Sequence, residues 1–395
     1  MVRLIVQFVS LALGHGCVDG CATMINPLIR ARVDTFGMSP EALAWLVTVV
    51  MTLACSFSQP LFALWSDRWG ARWVALTAPF VAGVGMAKAI ETTSPVWMAI
   101  WLTASGLSVA VYHPTPAAMV GDLLPDRRTL SLALFLGGGM IGLGIGPIAV
   151  SYILENLGPD GGWWLLIVAA PVSIALLASC GTARHLGGKS QTLGSLRQAL
   201  RGRGRTMGLL VTIASARALA TMGPTLGITL LTERQGTTIT WTGWLLSAFL
   251  FSGGVTGLAS GLVLRPGRER EILVVTSAAA FAAIAIMPFG GPVLMLACAI
   301  VAGSALQGVN PLIVGMSQRI LPSGSRMASS LVMGWSWGVG GLLGLVVTVI
   351  DPIEWAFVGL GFVMIPAGVL ALKLPVLPAE TGTAIVDGPS LLDGN

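Results

Sequence analysis

The sequence predicts an all-α membrane protein: twelve transmembrane helices arranged as two six-helix bundles. Three observations carry that expectation. Hydrophobic residues make up 54% of the chain and charged residues only 10%, with a mean hydropathy of +0.84, whereas a soluble domain carries about 25% charged residues. Apolar segments of roughly the 20 residues needed to cross a bilayer recur along the chain. The two sets of six also repeat each other at one constant offset.

The expected spans are 4–28, 42–65, 72–90, 94–120, 129–155 and 162–181, then 207–231, 240–264, 272–289, 293–320, 327–350 and 354–373. Most connections are too short for anything but antiparallel neighbours. The first segment begins with Arg3 and an apolar run, as a signal peptide does. Cleavage would discard Asp19, so it is read as the first span. The exception among the connections is 182–206, which holds Arg184, Lys189, Arg197, Arg201, Arg203 and Arg205 and no acid. It is read as a basic cytoplasmic linker between an N-terminal bundle (1–181) and a C-terminal bundle (207–373). Residues 374–395, rich in Pro, Gly and Asp, are expected to form a disordered cytoplasmic tail.

The halves align without a gap at an offset of 197 residues. Pro27 falls on Pro224, Arg68 on Arg265, Gly70 on Gly267, Pro114 on Pro311, Pro125 on Pro322, Gly137 on Gly334 and Gly144 on Gly341. Parallel six-helix repeats are the mark of one large class of secondary transporter. One set of loops, together with both termini, carries 17 Lys and Arg, from Arg3 to Lys373. The other side has Arg30, Arg32, Lys88 and Arg234. Basic residues concentrate on the cytoplasmic side, which places both termini in the cytoplasm. The net charge of +5 comes from these short loops and does not point to nucleic acid. The five cysteines sit in or beside apolar segments and read as small buried hydrophobes.

Asp19 in the first span and Arg217 in the seventh are formal charges inside apolar segments. Each costs roughly 2.5–3.5 kcal/mol at bilayer depth, so such residues mark a cavity, an ion path or a substrate path. His15 and Asp19 are four apart on one helix face, with Asn26 near the same stripe. A carboxylate beside an imidazole can exchange protons, and Arg217 is a natural counter-ion or anion anchor. The plain alternative is a permanent Asp19–Arg217 bridge that only holds the bundles in register. Tyr112-His113-Pro114 in the fourth span and Val309-Asn310-Pro311 in the tenth place polar groups beside a proline that frees a carbonyl on the preceding turn. For His113 the plain alternative is an interhelical hydrogen bond. Gly138, Gly142 and Gly146, followed by Pro147, line one face of the fifth span, and Gly253, Gly257 and Gly261 line one face of the eighth. Such stripes let another backbone approach closely. Nucleophile–base pairs, metal-ligand clusters and phosphate-binding loops are not found, which argues against an enzyme, a resident cofactor or ATP-driven transport.

Ala63-Leu64-Trp65-Ser66-Asp67-Arg68-Trp69-Gly70-Ala71-Arg72 resembles the loop signature of the major facilitator superfamily. That resemblance implies a cytoplasmic latch formed by Asp67, Arg68, Gly70 and Arg72. The second copy has Leu264 in place of the acid. The resemblance also implies that the fifth and eighth spans meet across the domain interface, through Gly138, Gly142, Gly146, Pro147, Gly253, Gly257 and Gly261. Gly142-x-x-x-Gly146-Pro147 is similar to the core of the antiporter motif. His15-x-x-x-Asp19, Tyr112-His113-Pro114, Phe135 with the glycines after it, Arg217, and Met327 to Gly341 together resemble the fosmidomycin-resistance branch. The branch implies a proton-driven efflux antiporter of the inner membrane that confers drug resistance, and a monomer working by alternating access is expected. Asp19 and His113 would couple protons. His15, Asn26, Tyr112, His113, Arg217 and Asn310 would line the substrate cavity with Asp19. The branch's polar positions are here Val18, Thr115-Pro116, Leu136 and Met140. A less polar cavity is therefore expected, suited to an amphipathic or anionic organic compound. An organic-anion importer and a membrane-bound sensor are the alternatives.

Overall fold

The computed structural model describes residues 2–65, 69–123, 128–181, 200–263 and 267–376. Among them twelve helices are long and apolar enough to cross a membrane. They are α1 (Val2–Phe36), α2 (Pro40–Ala63), α3 (Arg72–Glu91), α4 (Pro95–Ala117), α5 (Leu134–Asn156) and α6 (Pro159–Cys180), then α7 (Gly204–Arg234), α8 (Ile239–Ser260), α9 (Glu269–Phe289), α10 (Pro292–Ile320), α11 (Met327–Thr348) and α12 (Ile353–Ala371). The loop residues Asp67 and Arg68, linker residues 182–199 and the tail from 377 onward, with the expectations placed on them, lie outside the described residues.

Two helices extend into stretches read as connections. α7 starts at Gly204, inside the stretch read as linker. α1 turns at Met24 and continues from Ile25 to Phe36. Arg30 and Arg32 thus stand on a helix rather than in a loop. That helix ends at Gly37, whose left-handed backbone (φ 60°) costs a glycine nothing.

Helix breaks repeat between the halves. α4 is interrupted at His113 before Pro114, and α10 at Gly308–Val309 before Pro311. Proline supplies no N–H and clashes with the turn before it. α2 and α11 each contain a π-helical turn, at Thr52–Phe57 and Leu331–Trp335, and these widened turns lie against each other. Gly334 faces Ser56 and Gln59, Gly338 faces Phe57, and Gly341 faces Thr52.

The glycine stripes pack differently from expectation. A Cβ on Gly138, Gly142 or Gly146 would strike the backbone of Ala12, Gly16 or Gly20, all on α1 of the same half. Gly253 and Gly257 face Gln307, with Gly303 or Pro311, on α10 of their own half. The environment of Gly261 lies outside the described residues. α5 and α8 do meet across the halves, but on other faces. Gly137 abuts Leu258, Gly144 abuts Phe251, and Gly254 abuts Met140. Pro147 belongs to this contact, since its carbonyl lies against Gly243, and the Ile148 N–H donates to Ser247 Oγ at 3.1 Å. Successive residues on an α-helix are 100° apart, so α5 presents one glycine face to α1 and a neighbouring one to α8.

One end of the molecule is bonded across the halves. Arg30 donates to Thr242 Oγ1 at 2.7 Å and to the Thr238 carbonyl at 3.0 Å, and also reaches the Thr237 carbonyl. Arg234 pairs with Glu41 across the halves at 3.4 Å and with Asp351 of its own half at 3.0 Å. Trp45 Nε1 donates to Thr348 Oγ1 at 2.9 Å, and Glu155 accepts from the Thr240 N–H at 2.9 Å.

Two outcomes follow from this packing. Gly142→Ala should lower the thermal unfolding temperature in detergent by an amount equivalent to about 1–3 kcal/mol of overpacking. Gly359→Ala, with no atom within 4 Å of the added methyl, should not lower it. At the bonded end, Arg30→Ala should raise deuterium uptake in residues 25–36 and 237–242, because hydrogen bonds from a charged donor are each worth about 1.5–3 kcal/mol. Arg234→Ala should raise uptake less, since Arg234 is 37% and Asp351 84% exposed and such pairs are worth about 0–1 kcal/mol.

Candidate functional site

A cavity lies between the halves. α1 contributes His15 and Asp19, α4 His113, α5 Leu136 and Met140, α7 Arg217 and Thr221, and α10 Asn310. Of the residues expected there, Asn26 and Tyr112 are not in its lining. Asn26 follows the Met24 turn, toward the bonded end. Tyr112 is wholly buried behind His15, and its hydroxyl donates to the Leu11 carbonyl at 2.8 Å. Ser56 and Gln59 of α2 and Trp337 of α11 also line the cavity. Sequence reasoning passed over them because single polar or aromatic residues in an apolar helix carry no periodic signal.

Asp19 is clasped by two imidazoles. His15 Nε2 lies 3.2 Å from Asp19 Oδ2, and His113 Nε2 lies 3.3 Å from Asp19 Oδ1. The other ring nitrogens are tied to backbone oxygens: His15 Nδ1 to the Phe135 carbonyl at 2.9 Å and His113 Nδ1 to the Val109 carbonyl at 2.7 Å. A carbonyl only accepts, so each Nδ1 carries the proton and donates. Each Nε2 therefore faces the carboxylate. A bare lone pair there would repel it, and the contacts stabilise only with positive charge between them, as a proton or a metal ion. The His15 ring stacks on Phe135 at 4.2 Å and meets the His113 ring edge-on at 4.9 Å. Gly139 makes room for the cluster, because a Cβ there would run into Asp19 and His15. One ligand atom each from His15, Asp19 and His113 lies within 4.8 Å of the others. This corrects the reading that no metal-ligand cluster exists: His113 is remote in sequence, and only the packing of α4 against α1 brings it in.

Arg217 is 2% exposed and Asp19 7%. The permanent bridge of the plain alternative is not formed. Arg217 donates instead to Ser277 Oγ at 3.2 Å on α9, and to the Ala305 and Leu306 carbonyls at 2.5 and 3.2 Å on α10. Those carbonyls belong to the last turn before the break in α10, where intrahelical donors run out and a cation is favoured. Its Nε has no partner. Leu136 and Met140 both face the cavity, which gives α5 an apolar wall. Of the expected latch, Arg72 donates to the Cys180 carbonyl at the end of α6, and Gly70 lies in the first turn of the helix that leads into α3.

The Major Facilitator Superfamily model matches residues 11–345. The chain belongs to this superfamily. It is 23% identical over 342 residues to the fosmidomycin resistance protein of Escherichia coli (strain K12), covering 84% of this chain and 83% of that one. It is equally 23% identical over 344 residues to the MFS-type transporter YfnC of Bacillus subtilis (strain 168), with the same two coverages. A crystal structure of the nucleoside transporter NupG superposes with a TM-score of 0.69 at 17% identity, covering 94% of this chain and 99% of that one. A bacterial homologue of the human lysosomal transporter Spinster, inward-facing and unoccupied, gives a TM-score of 0.58 at 15% identity, covering 94% and 95%. The protein is a multi-pass membrane transporter of the major facilitator fold, not an enzyme.

Arg217→Met should leave the Ala305 and Leu306 carbonyls without their cationic donor. The expected destabilisation is about 1–3 kcal/mol, read as a lower unfolding temperature in detergent. Ser277→Ala, which removes one weaker acceptor, should cost less.

Proposed function

We propose that this transporter is a proton-coupled exporter of a small amphipathic compound with an anionic end. It works as a monomer in an inner membrane with both termini cytoplasmic. The moving units are the bundles 1–181 and 207–373, joined by 182–206, rocking about the α2–α11 and α5–α8 contacts. The observation that carries the reading is the division of one cavity between two opposite charges. Asp19 with its imidazoles stands on the N-terminal half, and Arg217 on the C-terminal half.

Asp19 and His113 hold the transported proton. Arg217, which lines the cavity, binds the anionic end of the substrate. The Leu136–Met140 wall takes the apolar body, and Asn310 adds a polar contact. A substrate with polar groups facing that wall loses hydration without compensation. The distant fosmidomycin-resistance relative supports a transporter, while the apolar wall favours a more amphipathic cargo than a phosphonate.

Substrate-driven proton flux in proteoliposomes, over a panel of amphipathic anions with fosmidomycin included, tests the reading. Amphipathic anions should drive flux more strongly than fosmidomycin. Asp19→Asn should abolish the flux while the variant still melts cooperatively, and Arg217→Ala should weaken transport of anions more than of neutral analogues. Flux that survives Asp19→Asn in full would assign the proton to another group. Substrate-driven uptake instead of expulsion would replace the exporter by an organic-anion importer.

A further inference from the structure

We propose that His15, Asp19 and His113 form a binding site for a divalent transition-metal ion, with open coordination positions facing the cavity. The inference goes beyond the transport reading and stands on geometry alone. Two imidazole nitrogens and one carboxylate from α1 and α4 converge at one buried point, with one ligand atom of each within 4.8 Å of the others. Two ligands bonded to one metal at about 2.0–2.1 Å in tetrahedral geometry stand about 3.3–3.4 Å apart. His15 Nε2 stands 3.2 Å from Asp19 Oδ2 and His113 Nε2 stands 3.3 Å from Asp19 Oδ1, so each imidazole meets that spacing against its own carboxylate oxygen, while single ligand atoms from all three residues lie within 4.8 Å.

The imidazoles are already set in the form a metal requires. Their Nδ1–H groups donate to the Phe135 and Val109 carbonyls, so both present Nε2 lone pairs. Metal-binding histidines are oriented by this same kind of outer hydrogen bond. His15 is 2% exposed, and its Nε2, 3.2 Å from the Asp19 carboxylate, has no hydrogen-bond partner. Two imidazoles and a carboxylate favour zinc, cobalt or nickel over magnesium or calcium, which prefer all-oxygen shells. With three protein ligands, the ion keeps at least one position for water or for a substrate donor. Asp19 and His113 are the members that retain exposure toward the cavity, with side chains 10% and 15% accessible. An anionic chelating group could complete the shell there.

The test titrates the tag-free, full-length protein in detergent with Co²⁺ and reads the visible ligand-field bands. About one Co²⁺ per chain is expected, displaced by Zn²⁺. Affinity should fall by about tenfold or more in His113→Gln and in His15→Ala, as loss of a ligand or its support produces. Cys55→Ser controls for the thiol lining the same cavity and should leave the bands unchanged. Thermal melts identify any variant that fails to fold, and Asp19→Asn then serves as the alternative. Absence of ligand-field bands, or bands that move with Cys55→Ser and not with the histidine variants, would overturn the site. Co²⁺ binding without substrate-driven proton flux would leave the site standing and remove the transport reading. Proton flux that persists unchanged in a protein unable to bind Co²⁺ would do the reverse.

Discussion

A carboxylate in the middle of a membrane-length helix cannot remain alone, and the N-terminal half is organised around that constraint. Asp19 sits where water is scarce and the cost of charge is several kcal/mol. It is answered by two imidazoles fixed from behind by backbone carbonyls. The arrangement needs α1 and α5 close together, which the Gly138–Gly142–Gly146 face permits, and an α5 position with no side chain, which Gly139 supplies. Tyr112 and Phe135 then fill the space behind His15 with aromatic surface. The small residues of α5 and the charge on α1 are therefore parts of one solution.

The C-terminal half answers the same problem with the opposite sign. Its buried cation, Arg217, is neutralised by carbonyls at the end of the first segment of α10 rather than by an acid. Pro114 and Pro311 occupy equivalent places in the repeat, and each helix breaks just before them. His113 and Asn310 are the residues immediately preceding those prolines. A duplicated backbone irregularity thus carries an ionisable group in one half and a neutral amide in the other. The halves share their architecture and divide their chemistry.

Alternating access requires that contacts at one end be weak enough to release. The bonded end is held by one dense set around Arg30 and by exposed ion pairs around Arg234. The exposed pairs contribute little, so the hydrogen bonds of Arg30, with those of Glu155 and Trp45, hold that end. The α5–α8 and α2–α11 contacts run past the cavity, and in them glycines of one helix receive larger side chains of the other, such as Leu258, Phe251 and Phe57. Glycine on one side of each contact lets the helices approach closely.

Sequence alone determined the membrane class, the twelve spans, the two-fold repeat and the buried charges. Each of these is written in composition, in the length of apolar runs or in a constant offset. It also marked His15, Asp19, Arg217, His113 and Asn310 as polar groups in apolar surroundings, and all five line the cavity. Tertiary structure decided which partners they have. Helical periodicity fixes the face on which a residue stands but not the helix that face meets, so the glycine stripe of α5 belongs to α1 rather than to α8. A long guanidinium can reach several neighbours, and only the break in α10 made backbone carbonyls the partners of Arg217. His113 joins Asp19 because two helices distant in sequence pack side by side, a relation that no spacing within one chain encodes.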